Sequence, residues 1–320
     1  TVIDVTCNGV NDGEITVFLA GGTGSLTPSW TTTVPGSGII ANDTSQTALD
    51  QGTYKLIVTD VNSCADSSTY TITEPDTISI SYTLSQISCS DSVNGSIEIT
   101  EAGGTGALIP AWNSTNPSFT DLGTVDLFGL DSGIYNLSLT DDNGCIYDTS
   151  FLMIKPNAIV TNANIQLVSC FGNADAEIKL NTTGGDGNYS WNWSGPNGYA
   201  NTNDTIIGLD TGQYQLVILD GNLCQKDTLI EITQPNSLNL LANINSINCF
   251  GDTSGKINLS LTGGSSPFQY DWDIDGLGDN DDDDSLFNLP SGSYHIFVTD
   301  DNGCTLDLSL IHISEPTRLE

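Results

Sequence analysis

Positive charge is almost missing from this chain. Its 320 residues carry 6 Lys+Arg against 40 Asp+Glu, a formal net charge of -34. Nucleic acid and anionic membrane both need a basic face, and so few cations cannot build one. Histidine is nearly absent too: neither His295 nor His312 falls in a nucleophile or metal motif. Catalysis is therefore poorly supported, and the scattered carboxylates read as a solvated face, not a glycosidase pair. There is no initiator methionine, signal-peptide pattern or long apolar run. The chain thus reads as a piece of a longer product that does not itself insert in a membrane.

What is present is a repeat. Gly133 to Cys145 reads G-I-Y-N-L-S-L-T-D-D-N-G-C, and it recurs as Gly52 to Cys64, Gly212 to Cys224 and Gly292 to Cys304. An earlier cysteine recurs as Cys7, Cys89, Cys170 and Cys249, and each unit closes on Pro75, Pro156, Pro235 or Pro316. A period of about 80 residues is longer than a solenoid repeat and long enough for a small domain. The expected domains are 1–75, 76–156, 157–235 and 236–316, with the tail 317–320 outside the repeat.

Each unit reads as all-β. Strand A follows the proline, as in Ile78 to Ser85. Strand B alternates, with Ile15, Val17 and Leu19 on one face, or Ile257, Leu259 and Leu261. A Gly-Gly turn follows, as at Gly103-Gly104, and strand C carries Trp30, Trp112, Trp193 or Trp272. A variable stretch holds two short strands and their loops. Then come Leu-x-x-Gly, strand F with Tyr54, Tyr135, Tyr214 or Tyr294, an Asp-rich turn and strand G. About seven short strands around one Trp, with a Tyr where a tyrosine corner would stand, predict a tandem array of four immunoglobulin-like β-sandwiches. The Tyr lies ten residues before its cysteine, so an antibody-type B–F disulfide is not expected.

The pattern C-x-G-x-x-D-G-x-I, then G-G and W, then L-x-x-G-x-Y with V-T-D-x-N-G-C, then I-T-x-P, resembles the SprB repeat of bacterial gliding and surface adhesins. It runs through the chain to Pro316 in four copies. The unit is also similar to a PKD domain, most clearly at Trp272-Asp273-Ile274-Asp275-Gly276. The turn varies: Asn62-Ser63 in the first copy and Asn222-Leu223 in the third. The resemblance implies a long, repetitive, extracellular protein at a bacterial cell surface, with a link to gliding motility, and implies no ligand. Five Asp-Ser/Thr-apolar triplets, at Thr77, Ser92, Thr205, Thr228 and Ser285, resemble the O-glycosylation motif of such bacteria; they also arise by chance in a Thr- and Asp-rich chain.

Calcium is the best chemical hypothesis. Asp271, Asp273, Asp275, Gly276, Asp279 and Asp282 fall at positions 1, 3, 5, 6, 9 and 12 of an EF-hand-type loop. A solvated acidic hairpin tip is the alternative. No other cofactor is indicated.

The cysteines, in a composition that suits an oxidising compartment, allow two pairings. If B runs up, C down, and F up again after two strands, the first cysteine lies at the bottom of its domain and the second at the top. A six-residue strand spans roughly 20 Å, whereas bridged Cα atoms lie within about 7 Å. That geometry favours interdomain bonds Cys7–Cys145, Cys89–Cys224 and Cys170–Cys304, leaving Cys64 and Cys249 for neighbouring repeats. Intradomain bonds such as Cys7–Cys64 are the alternative, expected if one strand alone lies between C and F.

Three functions fit. One is a non-enzymatic extracellular stalk or adhesin segment, a rod or filament whose partners are neighbouring repeats or other copies. Another is a glycan- or protein-binding module using the variable C-to-E loops, where Phe119 and Tyr199 would be presented. The weakest is a set of accessory repeats of a secreted enzyme.

Overall fold

Alternating apolar residues and frequent glycine turns give short antiparallel strands throughout the computed structural model, which describes residues 1–33, 36–273 and 283–314. The first repeat contributes β1 (Val2–Ile3), β2 (Gly13–Thr16), β3 (Thr27–Thr33), β4 (Ser45–Leu49), β5 (Gly52–Thr59) and β6 (Ala65–Ile72). The second contributes β7 (Ser79–Ser85), β8 (Gly95–Ala102), β9 (Ile109–Ser114), β10 (Leu127–Leu130), β11 (Gly133–Thr140) and β12 (Ile146–Met153). The third has β13 (Val160–Gln166), β14 (Ala176–Thr183), β15 (Tyr189–Ser194), β16 (Ala200–Asn201), β17 (Thr205–Leu209), β18 (Gly212–Asp220) and β19 (Gln225–Ile232). The fourth has β20 (Asn239–Asn245), β21 (Gly255–Thr262), β22 (Phe268–Trp272), β23 (Ser285–Leu289), β24 (Gly292–Asp300) and β25 (Thr305–Ile313).

Each repeat builds two sheets, and the strands correspond to A-B-E and C-F-G of an immunoglobulin-like sandwich. In the second repeat these are β7-β8-β10 and β9-β11-β12, in the orders β10-β8-β7 and β12-β11-β9, all antiparallel. The third repeat adds β16 at the edge of the C-F-G sheet. The chain divides into two units, Thr1–Pro156 and Asn157–Glu320, each containing two repeats.

In the first, second and fourth repeats the core is local to the repeat. Tyr135, Leu137 and Leu139 of β11 are buried with Trp112, Ile97, Phe151 and Met153. Separate cores gather around Trp30 in the first repeat and Trp272 in the fourth. Trp30, Trp112, Trp193 and Trp272 each donate the indole N–H to a carbonyl of the chain returning from strand C: Asp43, Thr124, Asn203 and Asp283, at 2.8, 3.0, 2.9 and 3.0 Å. A buried ring with its polar edge satisfied is what this residue needs. Tyr54, Tyr135, Tyr214 and Tyr294 each donate their hydroxyl to the carbonyl four residues upstream, at 2.8–3.0 Å. That is the tyrosine-corner bond.

One expectation fails. Two strands were expected between C and F; the third repeat has both, β16 and β17, yet in the second repeat β10 alone stands there. The end-to-end placement of the cysteines survives for a different reason. β10 pairs antiparallel with β8, and β11 antiparallel with β9. The short Gly103–Leu108 link starts β9 where β8 ends. Residues 115–126 then run back along the sandwich without forming a strand. Strand F therefore ascends like strand B, and Cys89 and Cys145 lie at opposite ends.

Candidate functional site

The Asp-rich turn after strand F is a hydrogen-bond hub. In the second repeat Asp141 Oδ1 accepts the N–H groups of Asn143 (3.0 Å) and Cys145 (2.8 Å), and Oδ2 accepts that of Thr105 (2.8 Å). One carboxylate thus ties the F–G turn to the B–C turn. The B–C turn must run close to it: a Cβ on Gly104, which has φ +68, would stand 3.1 Å from Asp141 Oδ2. Asp60, Asp220 and Asp300 do the same for Thr23, Asn62 and Cys64, for Asp186, Asn222 and Cys224, and for Ser265, Asn302 and Cys304. The N–H of Cys64, with those of Thr23 and Asn62, holds the Asp60 carboxyl below its ordinary value. Burial pushes Asp141 up, but the bonds from Cys145, Thr105 and Asn143 outweigh it and leave it low.

The opposite end of a repeat is the loop around the first cysteine. The Thr6 N–H donates to Asp12 Oδ1 (2.9 Å) and that of Ser169 to Asp175 Oδ1 (3.0 Å), closing the loop on itself. The carbonyls of Thr6 and Ser169 remain to face the next repeat. Asn143 Nδ2 donates to Thr6 O at 2.9 Å, and Asn302 Nδ2 to Ser169 O at 3.1 Å. Beside each bond runs a disulfide. Cys7 is bonded to Cys145 with Cα atoms 5.7 Å apart, and Cys170 to Cys304 with Cα atoms 5.5 Å apart.

The joint is reinforced along the chain path. Asn8 Nδ2 donates to Pro75 O (3.1 Å), and Thr77 Oγ1 donates to Asn8 Oδ1 (2.8 Å). In the second unit Gly172 N–H donates to Gln234 Oε1 (2.7 Å). A half-open hollow of about 450 Å³ lies at the first joint, and one of about 440 Å³ at its counterpart. Cys89 and Cys224 are also in disulfides. Cys64 and Cys249 are free and exposed.

The other predicted positions are less organised. Asp271 is buried in β22 beside buried Trp272, whereas Asp273 is exposed and its Oδ1 accepts the His295 N–H at 3.2 Å. Asp275, Asp279 and Asp282 lie outside the described residues. Among the described residues no group of three or more His, Cys, Asp or Glu is arranged to hold a metal. His295 faces Asp307 across β24 and β25. Of the five candidate glycosylation residues Thr77 is exposed, while Ser92, Thr205, Thr228 and Ser285 are half-buried. Phe119 and Tyr199 are not presented outward: each packs edge-on against a corner tyrosine, Tyr135 or Tyr214, with ring centroids 5.3 and 5.4 Å apart.

Sequence reasoning treated the Asp-rich turn as a hairpin and missed its Asn. The signal was there: D-x-N-x-C stands in all four copies, at Asp60, Asp141, Asp220 and Asp300, while the x positions vary. The constant Asp and Asn are the two side chains that hold the turn and reach across the joint.

The fold and its joints define a tandem array of immunoglobulin-like modules. Three segments, residues 1–34, 162–198 and 241–275, match the family model described as the SprB repeat. The second copy carries the motif but lies outside the matched segments. Solved structures similar to the chain include Sidekick-1 immunoglobulin domains 1–5, at 11% identity and TM-score 0.37, covering 92% of this chain and 75% of that one. The N-terminal eight Ig domains of Down Syndrome Cell Adhesion Molecule match at 10% identity and TM-score 0.26, covering 93% of this chain and 57% of that one. The insect immune protein hemolin matches at 11% identity and TM-score 0.23, covering 96% and 97%. No curated protein is similar to the chain.

Proposed function

We propose that this chain is a load-bearing segment of an extracellular stalk or adhesin displayed at a bacterial cell surface, with no catalytic role of its own. The observation that carries the reading is the route of the disulfides. A pull on the chain enters at Cys7 and crosses to Cys145 through the S–S bond, a sequence separation of 138 residues. It repeats the step from Cys170 to Cys304, a separation of 134 residues. Residues 8–144 and 171–303 lie off the shortest covalent path, so the load bypasses the strands they form, while β12 and β13 remain on it between Cys145 and Cys170.

Single-molecule pulling tests this. Each bridged span hides roughly 450 Å of extended chain at about 3.3 Å per residue. Oxidised chains are expected to extend without releasing that length, and reductant is expected to release it. Equal extension in both conditions would refute a load path through the bridges.

A second reading has one observation in its favour. In the second repeat Leu122 and Phe128 are exposed beside an open hollow of about 870 Å³. Exposed apolar groups of this size suit a protein partner at the C-to-E loop. Leu122→Asp with Phe128→Ser would then reduce cell attachment while leaving the pulling response unchanged.

A further inference from the structure

The asparagines that tie the joints, Asn8, Asn143 and Asn302, are each followed by glycine. Their side-chain amides donate to Pro75 O, Thr6 O and Ser169 O. Asn143 Nδ2 also lies 3.3 Å from Thr105 Oγ1, and Asn302 Nδ2 3.0 Å from Ser265 Oγ. The N–H of the following glycine is held as well. That of Gly9 donates to Glu74 Oε2 at 2.9 Å, and those of Gly144 and Gly303 to Asp141 O and Asp300 O, both at 3.0 Å. The other Asn-Gly pairs stand away from these bonds. Asn94 closes its own loop on Ser88, and Asn197 is exposed in the short 3-10 turn Pro196–Gly198. The F–G turn does not demand the glycine, since Ser63 and Leu223 take the same place at φ +67 and +65.

Asn-Gly is a pair prone to lose its amide, because glycine sets no side chain beside its nitrogen and leaves the backbone free to turn. The glycine nitrogen attacks the Asn carbonyl carbon, Cγ. A C–N bond forms, the Cγ–Nδ2 bond breaks, and the amide nitrogen leaves as ammonia with the proton of the glycine N–H. Water then opens the imide ring at either carbonyl, leaving aspartate or isoaspartate. At the joints both reacting groups are engaged, the amide by a carbonyl and the attacking N–H by its own acceptor.

We propose that Asn8, Asn143 and Asn302 are deamidation sites latched by the joints. A closed joint keeps them as amides. An opened joint releases them, and their conversion then prevents it from closing again. The products supply the reason. A carboxylate at position 143 has no N–H to give Thr6 O and sets a negative charge against that carbonyl. Isoaspartate also adds a methylene to the main chain between Asp141 and Cys145, whose N–H is bonded to Asp141 Oδ1. That displaces the thiol that must meet Cys7. Opening of the joint by reduction thus becomes one-way. No load is needed for any of these steps, so the proposal goes beyond the load-bearing reading and fails or holds apart from it.

The test is incubation of the purified chain at mildly alkaline pH, either oxidised or reduced and alkylated. Peptide mass mapping reads each Asn-Gly site, and enzymatic methylation reads isoaspartate. Conversion needs the open form, so in the oxidised chain Asn143 and Asn302 are expected to convert about ten-fold or more slowly than Asn197. Reduction is expected to remove most of that difference and to leave Asn197 unchanged. Cys7→Ser with Cys145→Ser is expected to speed Asn8 and Asn143 and leave Asn302 slow, with native tryptophan emission. Asn143→Asp is expected to slow re-formation of the Cys7–Cys145 bond by oxidised glutathione several-fold, with Cys170–Cys304 unaffected. Conversion of Asn143 and Asn302 in the oxidised chain as fast as Asn197 would overturn the latch, as would unchanged rates after reduction. Re-formation of Cys7–Cys145 in the Asn143→Asp chain at the unsubstituted rate would overturn the one-way closure.

Discussion

Each repeat depends on a few residues whose polar atoms are satisfied inside an apolar core. Tyr135 is buried and its hydroxyl donates to Asp131 O at 2.8 Å. Tyr135→Phe keeps the ring and removes the bond, so a loss of about 0.5–1.5 kcal/mol is expected in denaturant unfolding. Trp112→Ala removes both the ring and the bond to Thr124 O, and about 3–5 kcal/mol is expected. Burial first, and the Asp50 charge second, push Tyr54 up to about 12 from 10.0. Because the folded value is raised, the neutral phenol stabilises the fold fully below about pH 10. That contribution is lost as pH rises towards 12, and tyrosinate absorbance followed together with unfolding checks it. Leu223 sits at φ +65 where the second and fourth copies have Gly144 and Gly303, and its side chain is exposed. Leu223→Gly is expected to stabilise the turn by up to about 1 kcal/mol.

At the scale of elements, the F–G turn and the cysteine loop carry the design. The Asp60 and Asp141 carboxyls are held below their ordinary value of 3.8. Their contribution is present above that value and lost as pH falls through the lower folded one. Protonation also relieves the repulsion of a net charge of -34, which acts in the opposite sense. Melting curves in about 1 M salt, where the screening length is about 3 Å, remove that second effect. The midpoint is then expected to hold from pH 7 to 5 and to fall below about pH 4. These elements were only partly legible. The period-two pattern of Tyr135, Leu137 and Leu139 marks strand F without ambiguity, because alternate residues must face one core. The role of Asn143 was not legible, since its acceptor, the Thr6 carbonyl, is 137 residues away in the chain.

For the molecule as a whole, the first, second and fourth repeats have cores of their own. Trp30, Trp112 and Trp272 sit in different clusters, each drawn from one repeat. Reduction of the disulfides is therefore expected to leave tryptophan emission native. It is also expected to open the chain around Pro75–Ile78 to limited proteolysis, because the Cys7–Cys145 bond that closes this joint is gone. Resistance equal to that of the oxidised chain would show that Asn8, Thr77 and Asn143 suffice to hold it.

By itself the sequence determined the strand pattern, the four copies and the Trp and Tyr anchors. All of these follow from periodicity and chain direction, which are local or countable. Only the tertiary structure decided that one strand suffices between C and F in the second repeat, where residues 115–126 form no strand and are held by hydrogen bonds from the Trp112 backbone and indole N–H groups to Asp121 and Thr124. It alone also turned Phe119 and Tyr199 inward and aimed Asn143 and Asn302 across the joints, since those contacts join residues whose separation in the chain carries no signal.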